Sequence, residues 1–134
     1  MSRPETGRGP RLVPLRGPDG RAGWSLVAAN GRRLAVSVRA YRSDRELAYG
    51  VGELLAERAV LRFVLSQRED RLWVWTAHLP PRTTRPGAGG GEAVARSARG
   101  YLRRDQCRQS VVGFQQAVEH VRRAGRGTTT APPW

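Results

Sequence analysis

Ser37-Val38-Arg39-Ala40-Tyr41 and Ser97-Ala98-Arg99-Gly100-Tyr101 stand sixty positions apart in the chain. The same shift carries Gly31 to Gly91, Ala35 to Ala95 and Val51 to Val111. The stretch from Gly31 to Leu54 is therefore written twice. Each copy runs on into a helix-like segment in the same register. Every other reading of the chain is built around this duplication.

Upstream of Ser37, Trp24 to Ala29 alternates as a strand. Asn30-Gly31 marks a two-residue type I′ hairpin turn, in which both residues take positive φ, and Leu34 to Arg39 is the return strand. Further upstream, Leu12 to Leu15 reads as an edge strand, where Pro14 is tolerated. Gly17-Pro18-Asp19-Gly20 reads as a turn. Downstream, Ser43 and Glu46 have capping-box spacing, and Leu47, Val51, Leu54 and Leu55 form a stripe at helical period. Gly50 and Gly52 interrupt that helix at a cost of about 1 kcal/mol each relative to Ala, which predicts a close approach to the sheet.

The second copy has the same order: strand 62–67, turn 68–71, strand 72–79 with Trp73 and Trp75, return strand 93–99, and helix 104–123. Cys107, Val111, Phe114, Val118 and Val121 lie on one face of that helix. Pro80 to Gly90, rich in Pro, Gly, Thr and Arg, is expected to be a mobile hairpin loop. The fold class is α+β: tandem duplicated β-β-β-α repeats forming an antiparallel sheet with two helices packed on one face. The repeats span 11–60 and 61–124, between a disordered arm (1–10) and a flexible tail (125–134).

The turn fixes which residues share a face. Trp24, Leu26, Ala35 and Ser37 fall on one side, and Trp75, Ala95 and Ser97 are their counterparts. Large Trp beside small Ala and Ser leaves room for a helix, so this is the expected covered face. The other side carries Ser25, Val27, Leu34, Val36 and Val38. An uncovered apolar face of that size calls for a partner.

At 134 residues the chain is one domain or two very small ones. Neither half would bury much core alone, so the halves should share one. All 24 basic residues are Arg, and neither Lys nor Ile occurs, a pattern that GC-rich coding produces. The net charge of +13 is uneven: residues 12–61 carry +3 and residues 62–124 carry +7. Such a surface attracts polyanions at long range. No apolar run is long enough for a membrane helix, and Met1 to Glu5 lacks a signal-peptide core, so a cytoplasmic location is expected. The single cysteine excludes an internal disulfide and a cysteine cage for a metal.

Most reactive side chains have a simpler reading than chemistry. Cys107 corresponds to Leu47 on the first helix stripe, so it reads as a core thiol. His78 and His120 lie in different elements without a carboxylate cluster and read as surface residues. Glu46, Glu53, Glu57 and Glu119 read as cap or solvated face. The glycines at 87 and 89–91 are followed by no Lys-Ser/Thr, so they do not form a phosphate loop. No base, nucleophile and oxyanion donor come together, so neither catalysis nor a cofactor is expected.

Two polar features stand out. Tyr41 and Tyr101 sit where strand becomes helix, each two residues after an Arg (Arg39, Arg99). Their rings should pack with the hydroxyl on backbone; if both motifs lined a cleft between the copies, they would form a symmetric anion site. Arg96, Arg99, Arg103, Arg104 and Arg108 cluster around Tyr101, with Arg82 and Arg85 on the nearby loop. Basic groups around an aromatic are the footprint of phosphate-backbone binding. The leading expectation is a non-enzymatic module that associates with itself or another protein through the open sheet face. The alternative is sequence-nonspecific nucleic-acid binding through this Arg-rich surface.

The chain resembles the YegP-like family of small tandem-repeat proteins, a domain of unknown function. The resemblance rests on Trp24, Ala29-Asn30-Gly31, Ser37, Tyr41-Arg42-Ser43, Gly50-Val51 and Leu54. In the second copy it rests on Trp75, Gly91, Ser97, Tyr101, Val111 and Phe114. It spans roughly residues 12–123. It implies that two copies, or two subunits, build one antiparallel sheet with helices on it, and it implies no known activity. Ser and Tyr are one residue further apart than in the family pattern, and Arg103 stands where the first copy has the cap Ser43.

Overall fold

A computed structural model describes residues 9–81 and 91–124. Three strands and a helix, β1 (Arg11–Arg16), β2 (Ala22–Val27), β3 (Arg33–Ser37) and α1 (Asp44–Ala56), are followed by a single 3-10 turn at Arg58–Val60. Then come β4 (Arg62–Gln67), β5 (Trp73–His78), β6 (Ala93–Ser97) and α2 (Arg104–Ala124). All six strands form one antiparallel sheet in the order β1-β2-β3-β6-β5-β4. The fold is thus α+β, with one sheet and two helices among the described residues.

The two halves meet at β3 and β6. Ala35 pairs with Ser97, Val36 with Arg96 and Ser37 with Ala95. Since 35 and 95, 36 and 96, and 37 and 97 are the positions sixty apart, this register is symmetric about the Val36–Arg96 pair. Each half also closes its strand-to-helix connection in the same way. Tyr41 bridges to Ala22, and Tyr101 bridges to Trp73.

Three turns share one construction. Gly17–Arg21, Ala28–Arg32 and Arg68–Leu72 each close with a backbone N–H donated from the first residue to the fifth and from the fourth to the first. The third residue is Asp19, Asn30 or Asp70, and its side chain accepts from the fifth residue's N–H. The fourth residue is left-handed: Gly20 at φ 82°, Gly31 at 87° and Arg71 at 71°. The Asn30-Gly31 turn is therefore not the expected two-residue type I′ loop. Only Gly31 has positive φ, and the extra loop residue is absorbed by an irregularity at Leu26/Val27, where Val27 pairs with Arg33. Beyond it the register is the expected one, with Leu26 opposite Ala35.

One core serves both halves. It joins Trp24, Leu26 and Ala35 to Trp75, Ala77 and Ala95 beneath Leu47, Val51 and Leu54 of α1 and Phe114, Val118 and Val121 of α2. Both helices therefore lie on the expected face. Phe63, Trp75 and Phe114 form an aromatic triad, with Trp75 and Phe114 centroids 4.9 Å apart. Cys107 is fully buried in this core. Ser43 caps α1, accepting from Glu46 N–H at 3.1 Å, while the Glu46 carboxylate reaches back to the Arg42 N–H.

The expected approach of α1 to the sheet is corrected at both glycines. A Cβ at Gly50 would meet the Tyr41 ring, 2.5 Å from its hydroxyl oxygen, and one at Gly52 would meet nothing within 4 Å. Glu119 is partly exposed, but it is also an ion-pairing centre. It gathers Arg58 at 2.6 Å, Arg122 at 2.7 Å and Arg123 at 3.2 Å, tying the 3-10 turn to α2. The disordered arm, the Pro80–Gly90 loop and the tail expected from the sequence fall wholly or mainly outside the described residues.

Candidate functional site

Because β3 and β6 run antiparallel, the two Ser-x-Arg-x-Tyr motifs lie at opposite ends of the sheet. They do not line a cleft between the halves, which removes the symmetric anion site. Each end has its own electrostatics.

The end bearing Tyr101 also carries the start of β1, the β2–β3 turn and the β4–β5 turn. Arg99 lies over the Tyr101 ring, 4.9 Å from its centroid, and Arg104 over Trp73 at 5.7 Å. Arg68 pairs with Asp70, and its guanidinium reaches Gly100. Arg32, Arg33, Arg71, Arg99, Arg103 and Arg104 have no ion pair among the described residues. Arg32, Arg33 and Arg71 were missed by the sequence reading. They are distant in the chain, and only strand pairing places them at the same end of the sheet as Tyr101.

Of the expected cluster, the structure brings Arg99, Arg103 and Arg104 together with Tyr101, and Arg108 follows one turn along α2. Arg96 stands apart, exposed on the uncovered face opposite Val36 and Thr76. Arg39 is at the far end, paired with Glu92 at 2.6 Å. Arg82 and Arg85 lie outside the described residues.

The end bearing Tyr41 is more fully paired. Arg16 bonds Asp44, Arg21 meets Asp19 at 3.7 Å, and Arg39 meets Glu92. Beside Tyr41 is an open cavity of about 700 Å³ lined by Arg21, Arg39, Arg42, Arg45, Tyr49 and Gly50, with Glu46 and Glu53. Burial pushes the Tyr41 hydroxyl above its ordinary pKa, against the nearby Arg39 charge. The hydroxyl therefore stays protonated and is a donor.

Tyr101 differs from its counterpart. Its hydroxyl donates to Ser110 Oγ at 2.9 Å, and Trp75 Nε1 donates to the same oxygen at 3.0 Å. The hydroxyl partner is thus a side chain on α2, where backbone was expected. His78 is held rather than free: its ring nitrogens meet Thr76 Oγ1 at 3.0 Å and the Gly91 carbonyl at 3.1 Å. Cys107 is a thiol whose pKa is raised by burial, only partly opposed by Arg104. Among the described residues, no group of three or more His, Cys, Asp or Glu could hold a metal ion. No helix among them is long and apolar enough to cross a membrane.

Element order, sheet topology and the one-sided helices define a class of small α+β proteins built on a six-stranded antiparallel sheet. Solved members of that class are similar to this chain over most of their length. A UPF0339 protein from Shewanella oneidensis superposes with a TM-score of 0.64 at 11% identity, covering 83% of this chain and 86% of the other. The protein of unknown function yegP from E. coli superposes at 0.59 and 12% identity, covering 82% and 86%. The YegP-like fold implied by the sequence is therefore the fold of this chain. No family profile and no curated protein sequence matches it.

Proposed function

We propose that this chain is a duplicated β-β-β-α module that acts by association and not by catalysis, in the cytoplasm. Duplication is supported by the symmetric β3–β6 register and by the matching Tyr41 and Tyr101 bridges. The observation that carries association is the sheet face opposite the helices. Val13, Val36, Val74 and Val64 lie on it between β1 and β4 and are half-buried or exposed. Val38 and Val64 remain exposed on it. A second copy is the partner that fits first, because an apolar face is complementary to itself. Sedimentation at tens of micromolar should return a dimer mass. Val64→Asp lies on an exposed site and should return a folded monomer. A wild-type monomer across that range refutes self-association.

A second reading is favoured by the Arg99–Tyr101 and Arg104–Trp73 stacks among unpaired guanidiniums. That end of the sheet would bind the backbone of a nucleic acid without sequence preference. Titration of random duplex and single-stranded DNA at two salt concentrations tests it. Affinity should fall steeply with salt and weaken in Arg99→Ala/Arg104→Ala. No binding at low salt excludes it.

A further inference from the structure

Gly50 and Ser110 are counterparts sixty positions apart. Ser110 Oγ accepts from both Trp75 Nε1 and Tyr101 OH. Gly50 offers no such oxygen. Tyr41 is only 7% exposed and Trp24 only 1%. Yet among the described residues neither the Tyr41 hydroxyl nor the Trp24 indole N–H has a hydrogen-bond partner. Buried donors are almost always satisfied, and an orphan calls for an explanation such as water or a ligand. The Tyr41 hydroxyl leans over Gly50, and both residues line the 700 Å³ cavity, a size within the range of about 300–1,000 Å³ for small-molecule sites.

The lining of that cavity is specific to the first half. Arg42 and Arg45 project there without an ion pair among the described residues, and the ring of Tyr49 is 70% exposed. The second half has Leu102, Asp105 and Gln109 at those three positions, besides Ser110 at the fourth.

We propose that the cavity beside Tyr41 binds a small organic phosphate of the nucleotide type. Arg42 and Arg45 meet the phosphate, whose charge matches guanidinium donors. The Tyr49 ring offers a flat apolar surface to the base. The Tyr41 hydroxyl donates to a ligand oxygen in the place that Ser110 Oγ takes in the other half. Glu46 lines the cavity with one carboxylate oxygen on the Arg42 N–H, and its other oxygen is an acceptor for a sugar hydroxyl or an exocyclic amine, which inorganic phosphate does not possess.

Calorimetric titration with AMP, adenosine and inorganic phosphate, each alone, tests this. AMP should bind once per chain with sub-millimolar affinity, and the other two about tenfold or more weaker. Arg42→Ala/Arg45→Ala should weaken AMP by about tenfold or more without changing the melting temperature. Arg99→Ala/Arg104→Ala should leave AMP binding unchanged, which separates this site from the cationic end of the sheet. Gly50→Ser should give Tyr41 an internal partner, displace its ring into the cavity and abolish binding while the protein stays folded. If that variant unfolds, the Arg pair alone decides. Absence of AMP binding at millimolar concentration overturns the proposal. So does equal affinity for AMP and phosphate, or indifference to the Arg42/Arg45 substitutions.

Discussion

Ser110→Ala isolates a single oxygen that two donors share. Trp75 is fully buried, so without Ser110 Oγ its indole N–H has no route to water. Leaving such a donor unsatisfied costs about 1–3 kcal/mol. Tyr101 is half-buried, so its hydroxyl can turn to solvent and loses closer to the net value of an ordinary hydrogen bond, about 0.5–1 kcal/mol. Ala is the better helix former inside α2 and returns about 0.5 kcal/mol. The expected result is a loss of about 1–3.5 kcal/mol, or a melting temperature lower by about 3–17 °C for a domain of this size. Urea unfolding followed by tryptophan fluorescence measures it. The midpoint should fall while the slope stays constant, since the surface exposed on unfolding does not change. If Ser110→Ala is as stable as the parent protein, the shared hydrogen bond contributes nothing, and the contrast with Gly50 loses its basis.

Arg71 holds a left-handed conformation that a β-carbon disfavours by about 1 kcal/mol, so Arg71→Gly should raise the urea midpoint; a clear decrease would mean its side chain holds the turn. Phe114→Ala removes a ring packed on Trp75 and Phe63 and should cost about 3–5 kcal/mol, measured the same way. Cys107 should resist a thiol reagent in the folded protein at pH 8 and react at the rate of global unfolding, because burial keeps it neutral and inaccessible; fast labelling of folded protein refutes this. Glu119 has its pKa lowered from 4.5 to about 2 by hydrogen bonds from Arg122 and Arg58. A lowered carboxylate pKa contributes stability above the unfolded value that is lost as pH falls from 4.5 toward 2. Glu119→Gln should therefore narrow its stability gap to the parent protein across that window.

Strand order within each half, both helices, the covered face and the buried role of Cys107 were legible from local pattern. Trp24 alternates with Leu26, Leu47 recurs with Val51 and Leu54, and the sixty-residue shift tested each assignment against its counterpart. The hairpin turn was misread because Asn-Gly also occupies the last two positions of a three-residue loop. The choice between loops depends on where the strands can absorb one extra residue, and here Val27 does so. The Glu119–Arg58 ion pair was not legible because Arg58 lies far from Glu119 in sequence.

What the sequence determines by itself is periodicity and a sixty-residue spacing: which residues are apolar on one face, and which residue types recur at that shift. Those depend on neighbours within a few residues or on a fixed shift. Tertiary structure alone decided what the positions sixty apart do. Antiparallel pairing of β3 with β6 sends the two Ser-x-Arg-x-Tyr motifs to opposite ends of the sheet. It puts Arg32 and Arg33 at the same end of the sheet as Tyr101, while packing within each half sets the Tyr41 hydroxyl against Gly50 and the Tyr101 hydroxyl against Ser110. Charge accumulation and donor satisfaction are set by distance in space, which chain position does not encode until the strands have paired.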